Sequence, residues 1–168
     1  MFNIGKLGWR NPRPNDFNTP DKRPLRDLFG NLQKHMTWPH FGFDIDAQGS
    51  STSYTQKTIT AKEDPYQLIS AADTIQVPRD FDRWLCIGNA GAFVADQAGR
   101  HLFGWMYNGA AISELIDERH FVGTVDMRMM CPIVFPVKKG DTLSIAYQSP
   151  VASLMLDGQG WGYFLPLA

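Results

Sequence analysis

Apolar and polar residues alternate along most of the chain from Tyr54 onward, with the two-residue period of strands that bury one face. Turn-forming residues interrupt the alternation every few positions, and among them Gly88-Asn-Ala-Gly91 predicts a turn. Many short strands at this spacing indicate an all-β sandwich or barrel. The predicted strands are 54–60, 66–70, 73–77, 82–88, 91–95, 101–108, 110–116, 120–130, 132–138, 141–148 and 160–167.

Asn108-Gly109 is a strong local signal, because this dipeptide suits the two positive φ angles of a type I′ hairpin turn. It predicts that 101–108 pairs with the segment that follows. That second segment, 110–116, fits either a strand or one turn of helix.

The C-terminal third carries the densest apolar pattern. The run Pro132–Val137 is apolar at every position, which is typical of a strand buried on both faces. Lys139-Gly140 predicts a turn, and Leu143, Ile145 and Tyr147 then alternate with smaller residues. Because Phe164, Leu165 and Leu167 lie almost at the C-terminus, we expect the chain to end inside a sheet.

These residues carry a resemblance to a known class. The turn Pro-Val-Lys-Lys-Gly-Asp-Thr at 136–142, followed by an aromatic, Phe, Leu, Pro and Leu strand at 161–167, resembles the end of tumour-necrosis-factor-like and complement-like globular heads. It is more similar still to the small jelly-roll knobs of tailed-phage fibres and other virion proteins. Segment 74–87 is similar to their opening strand pair, with Phe81 where those heads carry Gly. The resemblance covers residues 54–168 and implies a jelly-roll head that forms a homotrimer.

The N-terminal part has a different composition. Its prolines, as in Asn11-Pro-Arg-Pro14, exclude a helix and a central strand over 1–24. The segment 25–36 has the apolar spacing of a short amphipathic helix, which must dock to be stable. We expect residues 1–53 to be an extended anchoring arm with one short helix and a polar linker, which either grips another protein or folds back on the head, 54–168. The anchoring residues are Phe2, Ile4, Leu7, Trp9, Leu25, Leu28, Phe29 and Leu32.

Charge and hydropathy exclude several classes of function. A net charge of −1 gives no electrostatic footprint for nucleic acid or an anionic membrane. No stretch is long and apolar enough to span a bilayer or to serve as a signal peptide. We therefore expect synthesis in the cytoplasm of a host cell, without membrane insertion.

No metal or cofactor is predicted. Asp44, Asp46 and Gly49 match part of a calcium-loop pattern, but Thr55 stands where the bidentate Glu would be. The four histidines are scattered and show no metal-ligand spacing. Cys86 and Cys131 each lie in an apolar run, which favours two buried thiols over a disulfide between neighbouring strands.

Few residues of the sequence are candidates for catalysis or ligand binding. Glycoside cleavage needs two carboxyl groups that face each other across a sugar, and acids of this kind are more often exposed in turns. Aromatic residues offer a flat stacking face with a polar tip for sugars, although they more often belong to a core or an interface. The loop Ser149–Gln159 is a further candidate binding surface. The acids are Asp80, Asp82, Asp117, Glu118 and Asp157, and the ligand-binding candidates are Trp105, Tyr107, Asp157 and Trp161.

The resemblance, the arm and the lack of enzyme motifs lead to one interpretation. They indicate a phage virion structural protein whose arm binds other virion proteins. The first hypothesis is a tail-fibre or baseplate knob that binds a host-surface glycan. The second is a capsid decoration or head-fibre protein that stabilises the shell, and the third is a small carbohydrate-active enzyme.

Overall fold

The computed structural model describes residues 38–94, 97–122 and 127–167. All regular structure in this part of the chain is β, as the alternating pattern predicts, and none of it is a helix that could cross a membrane. Residues 1–37 of the predicted arm, with its helix and its anchoring residues, lie outside the described residues. The strands are β1 His40–Gly49, β2 Thr55–Gln56, β3 Thr60–Glu63, β4 Ile75–Gln76, β5 Arg83–Val94, β6 Gly99–Tyr107, β7 Ala110–Phe121, β8 Met127–Lys138, β9 Thr142–Gln148 and β10 Met155–Pro166.

The strands form two antiparallel sheets that pack face to face. The first sheet has the order β3-β1-β10-β5-β8, and the second has the order β2-β9-β6-β7 with β4 also paired to β9. The side chains between them form one core, so the predicted antiparallel sandwich is confirmed. Its largest fully buried members are Trp84, Trp105, Tyr147, Phe41, Phe43, Phe103 and Phe164.

Strand β10 lies at the centre of the first sheet and pairs with β1 on one side and β5 on the other. The prediction that the chain ends inside a sheet is confirmed. The strand begins at Met155, so only Ser149–Leu154 of the expected loop connects β9 to β10. The first half of β10 alternates glycine with large polar residues, a pattern that hydrophobic periodicity alone does not mark as a strand.

The predicted turn at Gly88–Gly91 is wrong, because β5 runs through it without interruption. Gly88 allows close packing of β5 against β10 and does not form a turn. A Cβ atom at this position would lie 2.3 Å from the backbone oxygen of Trp161 on β10. The absence of a side chain therefore lets the two central strands approach each other.

The hairpin at Asn108-Gly109 is confirmed, with φ angles of 49° and 75° at its two central residues. Its second arm is the strand β7, and the helical alternative for 110–116 is wrong. Of the strands predicted at 66–70 and 73–77, the chain keeps only Ile75–Gln76 and a single bridge from Ile69 to Ile75. The carboxylate of Asp64 accepts hydrogen bonds from two backbone N–H groups of the first segment and closes it into a turn.

The linker expected over 38–53 is wrong for His40–Gly49, which is the strand β1. Phe41, Phe43 and Ile45 point into the core and Asp44 lies between them on the other face. The compact unit that contains the sandwich likewise begins at Pro39. Three aromatic or β-branched residues at alternate positions are a strand signal, but two glycines and the neighbouring aspartates obscure it.

Strand β8 is buried on one face within the chain, so the prediction of two buried faces is not met there. Ile133 is 0% exposed and its neighbour Val134 is 66% exposed. Pro132 and Pro136 are exposed on the same side as Val134. The apolar surface that the sequence places on this strand is therefore left uncovered.

Cys86 and Cys131 are buried thiols, as predicted. They lie on adjacent strands, but Cys86 pairs in register with Phe135, four residues from Cys131. That offset separates them by about 13 Å along the strand, which exceeds the reach of a disulfide. Burial raises the pKa of Cys86 to about 12 and that of Cys131 to about 11, so both stay protonated at neutral pH.

Candidate functional site on the outer face of the first sheet

The first sheet turns one face to the core and the other outward. The strands β10, β5 and β8 are neighbours, from the centre of this sheet to its edge. Their outward side chains form rows across the sheet because the register of strand pairing aligns them. Tyr163, Ile87 and Val134 form one row, and Asp157, Phe93 and Arg128 form another further along the sheet. These rows differ in chemistry, and they divide the outer face into two parts.

One part, here named the apolar half, lies near the end of β10 and the start of β5, next to the charged row of Arg83 and Lys138. Its side chains are half-buried or exposed, and none is charged. Two apolar rows cross the strands side by side and Pro132 adjoins them on β8, so the exposed apolar atoms form a continuous patch. The members of the apolar half are Leu85, Ile87, Pro132, Val134, Pro136, Tyr163 and Leu165.

The other part, here named the polar groove, lies where β10 begins. It consists of two adjoining depressions of about 540 and 380 Å³ that share Gln159. Glycines such as Gly42 and Gly91 leave room in its floor, since they face outward without a side chain. Its charged and polar lining is Asp44, Asp46, Lys62, Glu63, Arg128, Asp157 and Gln159, and its apolar lining includes Phe93, Met130 and Trp161.

Most charges in the polar groove have a partner. Lys62 lies 3.0 Å from an Asp44 carboxylate oxygen, and the Thr60 hydroxyl donates to Asp46 at 2.5 Å. The Arg128 guanidinium lies over the Phe93 ring, 4.9 Å from its centroid. Asp157 is exposed and has no hydrogen bond or ion pair with the described residues. It is therefore available to a ligand.

Two of the four predicted ligand-binding residues, Asp157 and Trp161, meet in this groove. They stand four residues apart on the same face of β10, with Gln159 between them. Trp161 is 53% exposed, and its ring lies parallel to that of Tyr163, at 10° and with 6.3 Å between centroids. The alternation of Asp, Gln and Trp with Gly is the signal that could have placed Gln159 in the site from sequence.

The other two candidates do not line the groove. Trp105 is completely buried, packs edge-on against Phe43, and donates its indole N–H to the Cys131 carbonyl at 2.9 Å. Tyr107 packs its ring edge-on against Phe135 and donates its hydroxyl to Asp141. Burial and this hydrogen bond raise the pKa of Tyr107 to about 12. Both residues hold the sandwich together.

The structure keeps the remaining candidate acids outside the groove lining. A hydrogen bond from Lys139 holds the pKa of Asp82 below its ordinary value, and one from Arg100 does the same for Glu118. Asp117 pairs with Arg119 at 2.9 Å. A general acid needs a raised pKa, so Asp82 and Glu118 have the opposite property.

No cluster of three or more potential metal ligands occurs among the described residues. Asp44 and Asp46 lie on the strand β1 and not in a loop, so the calcium-loop geometry is absent there. His101 is a core residue whose Nε2 donates to the Gln97 carbonyl at 2.9 Å. Its Nδ1 therefore accepts from the Tyr147 hydroxyl at 2.7 Å, and both ring nitrogens are used.

Comparison with solved structures finds a jelly-roll head of the complement type that is similar in fold to the sandwich. The globular domain of zebrafish complement 1qA protein is similar with a TM-score of 0.54 and 15% identity, over 74% of this chain and 95% of that one. Murine APRIL has a TM-score of 0.47 at 12% identity, over 74% of this chain and 98% of that one.

The Eiger tumour necrosis factor from S. frugiperda has a TM-score of 0.46 at 10% identity, over 77% of this chain and 96% of that one. No protein-family model and no curated protein matches the sequence. At these identities the likeness establishes the fold alone. It confirms the complement-head-like jelly roll expected from the turn at 136–142 and the last strand.

Proposed function

We propose that this chain is a non-enzymatic binding head that assembles as a homotrimer through the apolar half. The observation that carries the proposal is the continuous uncharged patch on the outer face, in which Val134 is 66% exposed on the edge strand β8. Large exposed apolar patches mark interaction sites, and closed symmetry lets identical patches be covered without open-ended growth. The resemblance to complement-like and tumour-necrosis-factor-like heads supports threefold symmetry in particular.

The free edge of the first sheet is protected against a different mode of association. Strand β8 forms that edge, and the backbone N–H of Met130 points away from β5, to the Asp117 carboxylate at 3.3 Å. Residues at even positions share this direction, and Pro132 and Pro136 have no N–H to offer. Lys138 donates its N–H to Asp141, which leaves Arg128 and Val134 among the even positions of β8. Addition of a strand is therefore disfavoured, and contact through the face is favoured.

The polar groove is the ligand surface of this proposed head. It combines a free carboxylate, an amide and an exposed indole, which are groups that bind hydroxyl-rich ligands. Asp44 and Asp46 are engaged by Lys62 and Thr60, so Asp157 is the one carboxylate of the described groove without a partner. A glycosidase needs an acid and a base facing each other, and a single free carboxylate suits binding better.

Within this class, the finer proposal is a phage virion protein whose N-terminal arm binds a neighbouring virion component. A tail-fibre or baseplate knob that binds a host-surface glycan is the version that the polar groove favours. A capsid decoration or head-fibre protein is the alternative, and it would use the apolar half without using the groove. The support for a virion role is the resemblance of residues 54–168 to phage knobs and the apolar arm before them.

Light scattering on the purified full-length chain at micromolar concentration tests the assembly. The expected mass is that of three chains. A monomer with an intact β-sheet circular dichroism spectrum would contradict the proposal. Competition of the purified protein with host adsorption, and its localisation on particles by electron microscopy, would then separate the knob from the shell protein.

A further inference from the structure

We propose that the polar groove binds amino-sugar oligosaccharides, in which pyranose rings carry protonated amines. This rests on the proposed function and deepens it, since it gives the binding head a site and a chemical class of ligand. The proposal stands on the geometry of β10, on the exposed indole of Trp161 and on the charge of the groove.

The geometry suits a linear ligand. Asp157, Gln159 and Trp161 are successive outward residues of one strand, so their side chains stand about 7 Å apart along a straight line. The two depressions that share Gln159 make this line continuous. A ligand made of repeated rings can therefore contact all three side chains at once.

Trp161 provides the apolar contact. About half of its surface is exposed, and the parallel ring of Tyr163 restricts the orientation of the indole. A flat aromatic face pairs with the C–H face of a pyranose, and its electron-rich surface also attracts a nearby cation. An ordered aromatic ring loses little conformational entropy when a ligand binds.

The charge of the groove selects the kind of sugar. Four carboxylates, those of Asp44, Asp46, Glu63 and Asp157, stand against the two cations Lys62 and Arg128. The excess is negative, and Asp157 carries it without a partner among the described residues. A protonated amine supplies the missing cation, whereas a uronic acid or a phosphorylated sugar brings like charge into the groove.

A basic peptide is the competing ligand, and the position of the groove disfavours it. The groove lies over β10, whose two neighbours β1 and β5 already pair with its backbone. An extended peptide therefore finds no free N–H or C=O groups with which to add as a strand. Recognition must come from the side chains of the sheet face, and these include the hydroxyl-binding amide of Gln159.

The test is isothermal titration of the full-length protein with three tetrasaccharides of similar size. They are a glucosamine tetramer, the neutral N-acetylglucosamine tetramer and an acidic galacturonate tetramer. We expect the glucosamine tetramer to bind at least tenfold more tightly than the neutral one, and the acidic one to show no binding. Acetylation removes the charge while it keeps the ring, so the first comparison isolates the amine.

Three variants locate the contact. Asp157→Asn should reduce the affinity for the glucosamine tetramer about tenfold, the effect of one charge-assisted hydrogen bond, and leave that for the neutral tetramer nearly unchanged. Trp161→Ala should abolish binding of both. Phe81→Ala is the matched control, because Phe81 is also an aromatic residue about half exposed, at 51%, but lies in the loop before β5, outside the groove. It should bind as the wild type does.

Several results would overturn the proposal. These are tighter binding of the acidic tetramer, no loss of affinity in Asp157→Asn, or no binding of any tetramer by a protein of the expected mass. Binding of a lysine-rich peptide without sugar binding would assign the groove to basic peptides instead. Light scattering on the same samples distinguishes the two proposals. A trimer without sugar affinity would contradict only the proposal of an amino-sugar ligand, whereas a monomer would contradict the proposed assembly.

Discussion

The apolar half and the polar groove occupy the same outer face of the first sheet, yet they differ in almost every physical respect. Val134 and Met130 are both exposed apolar residues of β8, four positions apart and on the same side. The first is surrounded by uncharged side chains, whereas the second lies beside Arg128 in a lining that holds four carboxylates. One sheet face can therefore serve for association at one end and for recognition at the other.

The two ends of the face also differ in the kind of partner that each can bind. The apolar half gains free energy by losing water, which requires a large complementary surface such as another copy of the chain. The groove holds charges whose desolvation is costly without a partner of opposite charge. A ligand or surface that suits one end is therefore unsuited to the other.

The largest expected effect is on assembly. Val134→Asp places a carboxylate between Pro132 and Pro136 in the apolar half, and a charge buried there without a partner costs about 3–5 kcal/mol. We expect the trimer to dissociate to monomers in light scattering at micromolar concentration. Met130→Asp puts the same charge on the same strand in the polar groove, and it should leave the mass unchanged. Equal dissociation in both variants would show that the face is not divided as described.

A pair of glycines on β5, one facing the core and one facing the groove, tests the close approach of β5 to β10. Gly88→Ala would force a Cβ atom to within 2.3 Å of the Trp161 backbone oxygen and should destabilise the fold by about 1–3 kcal/mol. Gly91→Ala, in the groove, meets nothing closer than 3.7 Å and should change stability by less than about 0.5 kcal/mol. Urea unfolding measures both. If the two variants unfold alike, the close approach of β5 and β10 is not what Gly88 provides.

The sequence predicts the strands well where apolar and polar residues alternate and poorly where glycine replaces one of them. The hairpin at Asn108-Gly109 and the strand β9 follow from local pattern alone. The strand β1 and the first half of β10 do not, because Gly158, Gly160 and Gly162 stand where an inward apolar residue would be expected. A Cβ at Gly160 would lie 2.2 Å from the Phe43 ring, so this strand is glycine-rich in order to admit aromatic residues from β1.

The candidate site shows the same limit. Trp105 and Trp161 have similar sequence surroundings, each with a glycine before it and an aromatic residue two positions later. Only the sheet register shows that one points into the core and the other outward. Asp44 and Asp157 are more than 100 positions apart in the chain, and only the pairing of β1 with β10 brings them to one groove.

The turn between β8 and β9, next to the apolar half, is held by Asp141. The Asp141 carboxylate accepts hydrogen bonds from the Tyr107 hydroxyl, the Asn108 amide and the Lys138 backbone N–H. Burial alone would raise the pKa of Asp141, but these hydrogen bonds outweigh it and hold the pKa below its ordinary value. The ionised form therefore stabilises the fold above the unfolded pKa of about 3.9, and this stabilisation is lost as the pH falls through the lower folded value.

Asp141→Asn should accordingly lower the stability by about 1–2 kcal/mol at neutral pH, since one oxygen cannot replace two acceptors. The difference from the wild type should shrink as the pH falls from about 4 through the lower folded pKa of Asp141, because the carboxylate is protonated first in the unfolded and then in the folded state. Thermal unfolding at a series of pH values measures this. Asp80→Asn, which alters an exposed acid in the neighbouring turn, is the control, and a constant deficit in Asp141→Asn would argue against the carboxylate as the cause.

The smallest expected effect is that of salt, which should weaken ligand binding in the polar groove but not assembly through the apolar half. Raising sodium chloride from about 0.1 to 1 M shortens the screening length from about 10 to 3 Å, which weakens contacts between charges at an open surface. Binding of the glucosamine tetramer should therefore weaken several-fold, because Asp157 is exposed and its attraction for an amine acts partly through water. Assembly should not weaken, because the apolar half contains no charge to screen. Titration calorimetry and light scattering on one sample at each salt concentration give both quantities, and a trimer that dissociates at high salt would mean that charged residues hold it together.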